Sequence, residues 1–240
     1  MEISEQSLRA LVAATDEQHR DGMATLPHDI KALHSETRRF RPSARRAARR
    51  TGAAAGFVTI GGQLLPVSSF IPRAFAAAGD AGIAAFAESV ELTAVAAYTA
   101  AANSGLVTTP GVLDAATTFA GHHTEHAAAF GAAAGGDATG KLNQALLDAL
   151  SPSLGAAKSE NDVLKIAYDL ENAAAATYLF ALGALESVVA LQLTASILPV
   201  EAQHAVVLGQ IFGALRDERA ELQNSIPPGR LRVQTPAGGA

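Results

Sequence analysis

A two-helix pattern that occurs twice constrains this chain more than any other feature. From Glu91 to Tyr98 the chain reads ELTAVAAY, and from Glu171 to Tyr178 it reads ENAAAATY. In each, a glutamate precedes a tyrosine by seven residues, nearly two helical turns, so both side chains share a helix face. About thirty residues beyond each glutamate stands a second pair at i and i+3. It is His123-Thr-Glu-His126 in the first half and Glu201-Ala-Gln-His204 in the second. Residues three apart on a helix are neighbours, so each pair also presents one face.

The rest of the chain supports helices around these motifs. Hydrophobic residues make up 49% and aromatic residues only 5%, with alanine in excess, which predicts an all-α fold. Apolar-periodic segments are expected over 81–102, from Thr108-Thr109-Pro110 to about 131–136, from the cap Ser159-Glu160-Asn161-Asp162 to about Leu182, and from about Glu186 to about Leu222. Pro199 predicts a kink or break in the last of them. A short helix is expected over 142–150, within a longer connection. Short turns join helices one to two and three to four, and the long connection joins two to three. That is a four-helix bundle with one long crossover.

Carboxylates inside apolar stretches need partners. Glu91 stands among Val90, Leu92, Ala94 and Val95, and Glu171 among Leu170, Ala173 and Ala174. A buried carboxylate is rare unless it is paired or ligates a metal. A dinuclear carboxylate centre takes one Glu from each of two helices and a Glu-x-x-His pair from each of the other two. Glu91, Glu171, Glu201 and His204 stand where that pattern needs them, while His123 replaces the remaining Glu, with His126 as its partner. The expected metal set is therefore Glu91, His123, His126, Glu171, Glu201 and His204. Two ions are expected: iron first, with manganese or zinc as alternatives, because imidazole admits several metals. Tyr98 and Tyr178 are expected either to hydrogen-bond the ligating carboxylates or to fill the core. His122-x-x-Glu125 has the same spacing as His123-x-x-His126; it is placed on the outer, solvated face, and the competing register stays open. Glu88 is placed at the surface, with an outer ligand as the other option.

The first 78 residues read as an address. The arginine pairs Arg38-Arg39, Arg45-Arg46 and Arg49-Arg50 precede an uncharged stretch over 51–71, followed by the small-x-small site Ala74-Phe75-Ala76. Basic block, apolar block and cleavage site in that order describe an export signal, here of twin-arginine type with cleavage after Ala76. The residues before Arg38 read as a polar amphipathic helix ending in a turn near Leu26-Pro27. The alternative is a membrane-anchored chain, with envelope association through 51–76. The bundle is placed at 79–223 and an irregular tail at 224–240. A net charge of -5 excludes a global case for nucleic-acid binding. The lack of cysteine excludes thiolate metal sites and cysteine nucleophiles.

From Glu91 through His123-x-x-His126 and Glu171 to Leu198-Pro199-Val200-Glu201-x-x-His204, the chain resembles exported ferritin-like domain proteins of actinobacteria. The resemblance covers about 77–222. It implies an all-α, ferritin-like four-helix bundle and a metal site. Ferritins and rubrerythrins, the better-known relatives, react with dioxygen or peroxide at two irons, so a diiron-type oxidoreductase is one expectation. A non-catalytic metal-binding protein, or a structural subunit of a cell-envelope assembly, is the alternative. Alanine-rich faces also suit a homo-oligomer.

Overall fold

The computed structural model describes residues 3–36, 57–60, 63–66 and 79–213, with side chains described over 3–26 and 79–213. Its elements, in order, are α1 (Glu5–Glu36), β1 (Phe57–Ile60), β2 (Gln63–Pro66), α2 (Gly79–Asn103), α3 (Pro110–Ala134), α4 (Gln144–Ala156), α5 (Glu160–Leu182) and α6 (Val188–Phe212). A 3-10 turn at Gly135–Asp137 follows α3. The two strands form a small antiparallel hairpin, with Phe57 opposite Pro66 and Ile60 opposite Gln63. The arginine block, the cleavage site after Ala76 and the 224–240 tail lie outside the described residues.

Helices α2, α3, α5 and α6 make the bundle, and the crossover over 135–159 carries α4. Side-chain caps fix where the helices start. Asn143 accepts from the amide of Leu146, Ser159 from Asp162 and Ser187 from Ala190. Carboxylates tie one helix start to another. Glu160 accepts from the amides of Thr108 and Thr109 at 2.7 and 2.8 Å, joining the start of α5 to that of α3. Asp80 accepts from the amides of Glu186 and Ser187 at 3.0 and 2.5 Å, joining α2 to α6. Gly105, in a left-handed conformation with φ of 73°, turns the chain after α2.

Two expectations change. Helix α1 runs through Pro27 without a turn, to Glu36. Helix α6 runs through Pro199 unbroken, so one missing backbone donor is tolerated inside a helix packed on its neighbours. Within 51–71 the described residues form the β1–β2 hairpin. Among the described residues one helix, α2, is long and apolar enough to cross a membrane, and half of its apolar window is buried in the bundle.

Two apolar layers bracket the middle of the bundle. One holds Tyr98, Val112, Phe119, Val163 and Leu208. The other holds Ala84, Phe130, Tyr178, Leu193 and Ile197. Helix α1 spans both, with Leu8 and Val12 in the first and Leu26 in the second. It packs on α3 and α6 as a fifth helix, and Gln18 hydrogen-bonds Gln203 on α6. Between the layers, each helix carries its polar residues.

Candidate metal centre

All six residues expected as ligands meet in the gap between the apolar layers. Glu91 and His123 are each 1% exposed, and His126, Glu171, Glu201 and His204 are 0% exposed. Glu91 comes from α2, His123 and His126 from α3, Glu171 from α5, and Glu201 and His204 from α6. They form two overlapping quartets. One is Glu91, His123, His126 and Glu201; the other is His123, Glu171, Glu201 and His204. In each quartet the donor atoms all lie within 4.8 Å of one another. Ligands of one ion bound at about 2.0–2.2 Å would lie within about 4 Å of one another, so each quartet is close to closing on one ion.

His123 and Glu201 belong to both quartets. His123 turns one nitrogen to each half: Nδ1 lies 2.6 Å from Oε2 of Glu91, and Nε2 lies 3.1 Å from Oε1 of Glu171. Both oxygens of Glu201 and both nitrogens of His126 are buried without a hydrogen-bond partner. Nδ1 of His126 is 2.9 Å from Oε1 of Glu201, but the pair is off the hydrogen-bonding line. Orphaned buried donors and acceptors cost about 1–3 kcal/mol each, and more when charged. Donors that converge but do not pair with each other suit a cation between them, so the residues fit a metal.

The tyrosines cross between the halves. The hydroxyl of Tyr98 donates to Oε1 of Glu171, and that of Tyr178 donates to Oε1 of Glu91. Each tyrosine sits in one apolar layer and reaches inward to the carboxylate of the opposite helix. Both rings are buried and fill the core as well.

Without metal, protons balance the cluster. Burial pushes the Glu91 carboxyl up, but the charges of His126 and His123 outweigh it and hold Glu91 below the usual carboxylate range. Glu171 is likewise held down, burial being overcome by His123 and His204. Burial and then the charge of Glu91 push Glu201 up. Burial lowers His126, yet Glu91 and Glu201 hold it at about 9. Burial also lowers His123, and Glu201 with Glu171 raises it well above the ordinary value. His204 is pushed down to about 4, by burial above all. Carboxylates held down and imidazoles held up thus balance one another across the cluster.

Two expected placements are corrected. Glu125 is exposed as expected, but His122 is only 3% exposed. Helix α1 covers that side of α3: His19 stacks on the His122 ring at 3.9 Å between centroids, and Asp16 Oδ1 lies 3.2 Å from His122 Nε2. Glu88 is 8% exposed; it is neither solvated nor in either quartet. It accepts from the amide of Thr139 at 2.9 Å and pins the crossover to α2. Sequence reasoning also missed His19, 1% exposed, with neither ring nitrogen hydrogen-bonded. The signal was there. Leu8, Val12, Thr15, His19 and Leu26, all buried, are spaced 4, 3, 4 and 7 apart, a heptad-like stripe.

No curated protein and no solved structure matches the chain. A family model does. It is the ferritin-like domain, matched over residues 79–214, which takes in α2 to α6 and every residue of both quartets. The match covers more than half of the chain and coincides with the bundle, its crossover and its polar centre, and the chain belongs to the ferritin-like domain family.

Proposed function

We propose that this protein binds two metal ions, iron by preference, and uses them to oxidise ferrous iron or to reduce dioxygen or peroxide. The two overlapping quartets, sharing Glu201 and His123, carry the reading. Bound at these residues, a pair of redox-active ions would supply electrons to an oxidant. The chain's own part is to hold them. Glu91 with His126 would take one ion and Glu171 with His204 the other, with Glu201 between them. Tyr98 and Tyr178 orient the terminal carboxylates.

A second feature favours a small oxidant. A cavity of about 20 Å³ reaches Glu91 and His123 between α2, α4 and α5. Its other walls are apolar apart from Thr177, among them Phe86, Val90, Leu146 and Leu170. That volume is close to what one small molecule fills, and the lining favours a weakly polar one. The test is anaerobic loading with ferrous iron, followed by dioxygen or hydrogen peroxide while absorbance is recorded. Oxidation faster than in buffer, lost in Glu171→Ala and His204→Ala, supports the reading. Protein that retains no metal and oxidises nothing defeats it.

His123 in place of a carboxylate favours a second reading, metal binding without turnover, in an envelope assembly or as sequestration. An imidazole removes a negative charge and an oxygen donor from the pair. Two ions bound with no oxidation would select this reading.

Export stays a proposal, drawn from the arginine pairs and Ala74-Phe75-Ala76. Cleavage after Ala76 would detach α1 from the bundle; retention of the leader would keep it. N-terminal sequencing of protein from its native host decides between them.

A further inference from the structure

We propose that in the full-length chain, with residues 1–76 retained, α1 is part of the metal centre, through a hydrogen-bonded chain from Asp16 to His122 to His204 that sets the affinity of one half-site and not of the other. The inference rests on the metal reading above.

The ring of His204 has two distinct edges. Nδ1 faces the centre, 3.4 Å from Oε2 of Glu171 and 3.9 Å from Oε2 of Glu201. Nε2 faces away and lies 2.9 Å from Nδ1 of His122. The far nitrogen of His122, Nε2, lies 3.2 Å from Oδ1 of Asp16 on α1. The other carboxylate oxygen of Asp16 is held by Arg20 at 2.8 Å. A carboxylate only accepts, so His122 carries its proton on Nε2 and donates to Asp16. Nδ1 of His122 must then accept, and His204 donates to it from Nε2. Nδ1 of His204 then turns its lone pair toward the quartet; its contact with Oε2 of Glu171, at 3.4 Å, is the longest in the chain, and a bound ion would take its place. The carboxylate on α1 thus selects the tautomer that a metal needs.

Ring contacts hold this arrangement flat. His19 stacks on His122 at 3.9 Å with planes 20° apart, and Phe119 stacks on His204 at 4.0 Å with planes 23° apart. Among the described residues the other half-site has nothing equivalent. His126 touches His19 by its ring, 5.1 Å between centroids, but neither of its nitrogens is hydrogen-bonded. The chain is therefore one-sided: loss of Asp16 or His122 weakens the ion held by Glu171 and His204 and spares the one held by Glu91 and His126.

Cobalt(II) titration of the full chain tests this, with the visible ligand-field spectrum and the stepwise affinities as readouts. Asp16→Ala and His122→Phe should each weaken one of two binding steps by about 10–100-fold and shift the spectrum of that ion. His122→Gln keeps one acceptor and one donor and should restore most of the affinity. Asp114→Ala is the control. Asp114 pairs with Arg9 and also ties α1 to α3, away from the centre, so both steps should stay at wild-type values. Equal weakening by Asp114→Ala, or wild-type affinities in Asp16→Ala and His122→Phe, overturns the proposal and leaves the metal reading intact. Wild-type protein that takes up no cobalt overturns both.

Discussion

The hydroxyl of Tyr98 on α2 donates to Oε1 of Glu171 on α5. Tyr178 on α5 returns the same bond to Glu91 on α2, so each half of the repeat steadies the carboxylate of the other. Tyr98→Phe should weaken metal binding at the Glu171 half, and Tyr178→Phe at the Glu91 half. In the metal-free protein each change removes one donor from a buried carboxylate. Glu171 keeps His123 at 3.1 Å, and Glu91 keeps it at 2.6 Å. The expected cost is about 1–3 kcal/mol of unfolding free energy, read from urea denaturation. Metal titrations in which both variants weaken the same step would contradict the crossed arrangement.

How far sequence alone reaches follows from where each residue's neighbours lie. Glu91, Tyr98, Glu171 and Tyr178 were legible because one helical period puts each pair on one face. Glu201 and His204 were legible for the same reason. His122 was not, because its burial depends on α1, and residues 1–78 read as an address that leaves the bundle. Glu88 was not, because its partners are amides of the crossover at Thr139 and Gly140, whose path no periodicity reveals. The caps at Ser159 and the turn at Gly105 were legible because they act locally.

His123 is the departure from a carboxylate-rich centre, and His123→Glu probes it. In the metal-free protein His123 is the imidazolium lying between Glu91 and Glu171. A glutamate there removes that cation and adds a fourth buried carboxyl, so the metal-free fold should lose about 3–5 kcal/mol, the scale for breaking a buried ion pair. The metal-loaded fold should lose much less, because two divalent ions replace the missing charge. The gap between metal-free and metal-loaded melting temperatures should therefore widen relative to wild type. A metal-free variant as stable as wild type would remove His123 from the charge balance.

Stability of the metal-free protein should peak near pH 6.5. His19, His122 and His204 are each held down at about 4, mainly by burial. Their folded values lie below the unfolded one, so the stability they contribute is present above about pH 6.5 and is lost as pH falls through 4. His126 is held up at about 9, so its contribution is full below about 6.5 and is lost as pH rises through 9. Raised Glu201 and His123 act in the same sense as His126 on the alkaline side. Metal binding must displace the protons on these three residues, so affinity should rise with pH and binding should release protons. Urea midpoints across the pH range, and calorimetric titrations in buffers of different ionisation enthalpy, check both. Loss of stability confined to the acid carboxylate range would show that the buried imidazoles do not control it.

The closeness of α1 depends on Gly111. A Cβ at that position would lie 3.1 Å from Cδ2 of Leu8 and 3.4 Å from Cγ of Glu5. Gly111 has a helical conformation, so alanine gains helix propensity there, of about 1 kcal/mol, while pushing Leu8 by a few tenths of an ångström. Leu8 is 3% exposed and belongs to the apolar layer that holds Val112 and Phe119, so it has little room to move. Gly111→Ala should leave overall stability within about 1 kcal/mol of wild type, its two effects opposing. Gly111→Val adds two more methyl groups on the same side, and overpacking of about 1–3 kcal/mol then falls on the α1 contact alone. Hydrogen exchange should show residues 5–26 losing protection while α2, α5 and α6 keep theirs. Limited proteolysis should cut within α1 sooner than in wild type. If protection in α1 is unchanged in the valine variant, Leu8 has repacked without releasing the helix. If α1 is freed, His122 gains solvent and the Asp16 contact is lost with it, so one metal-binding step should weaken in this variant although no polar group has been altered.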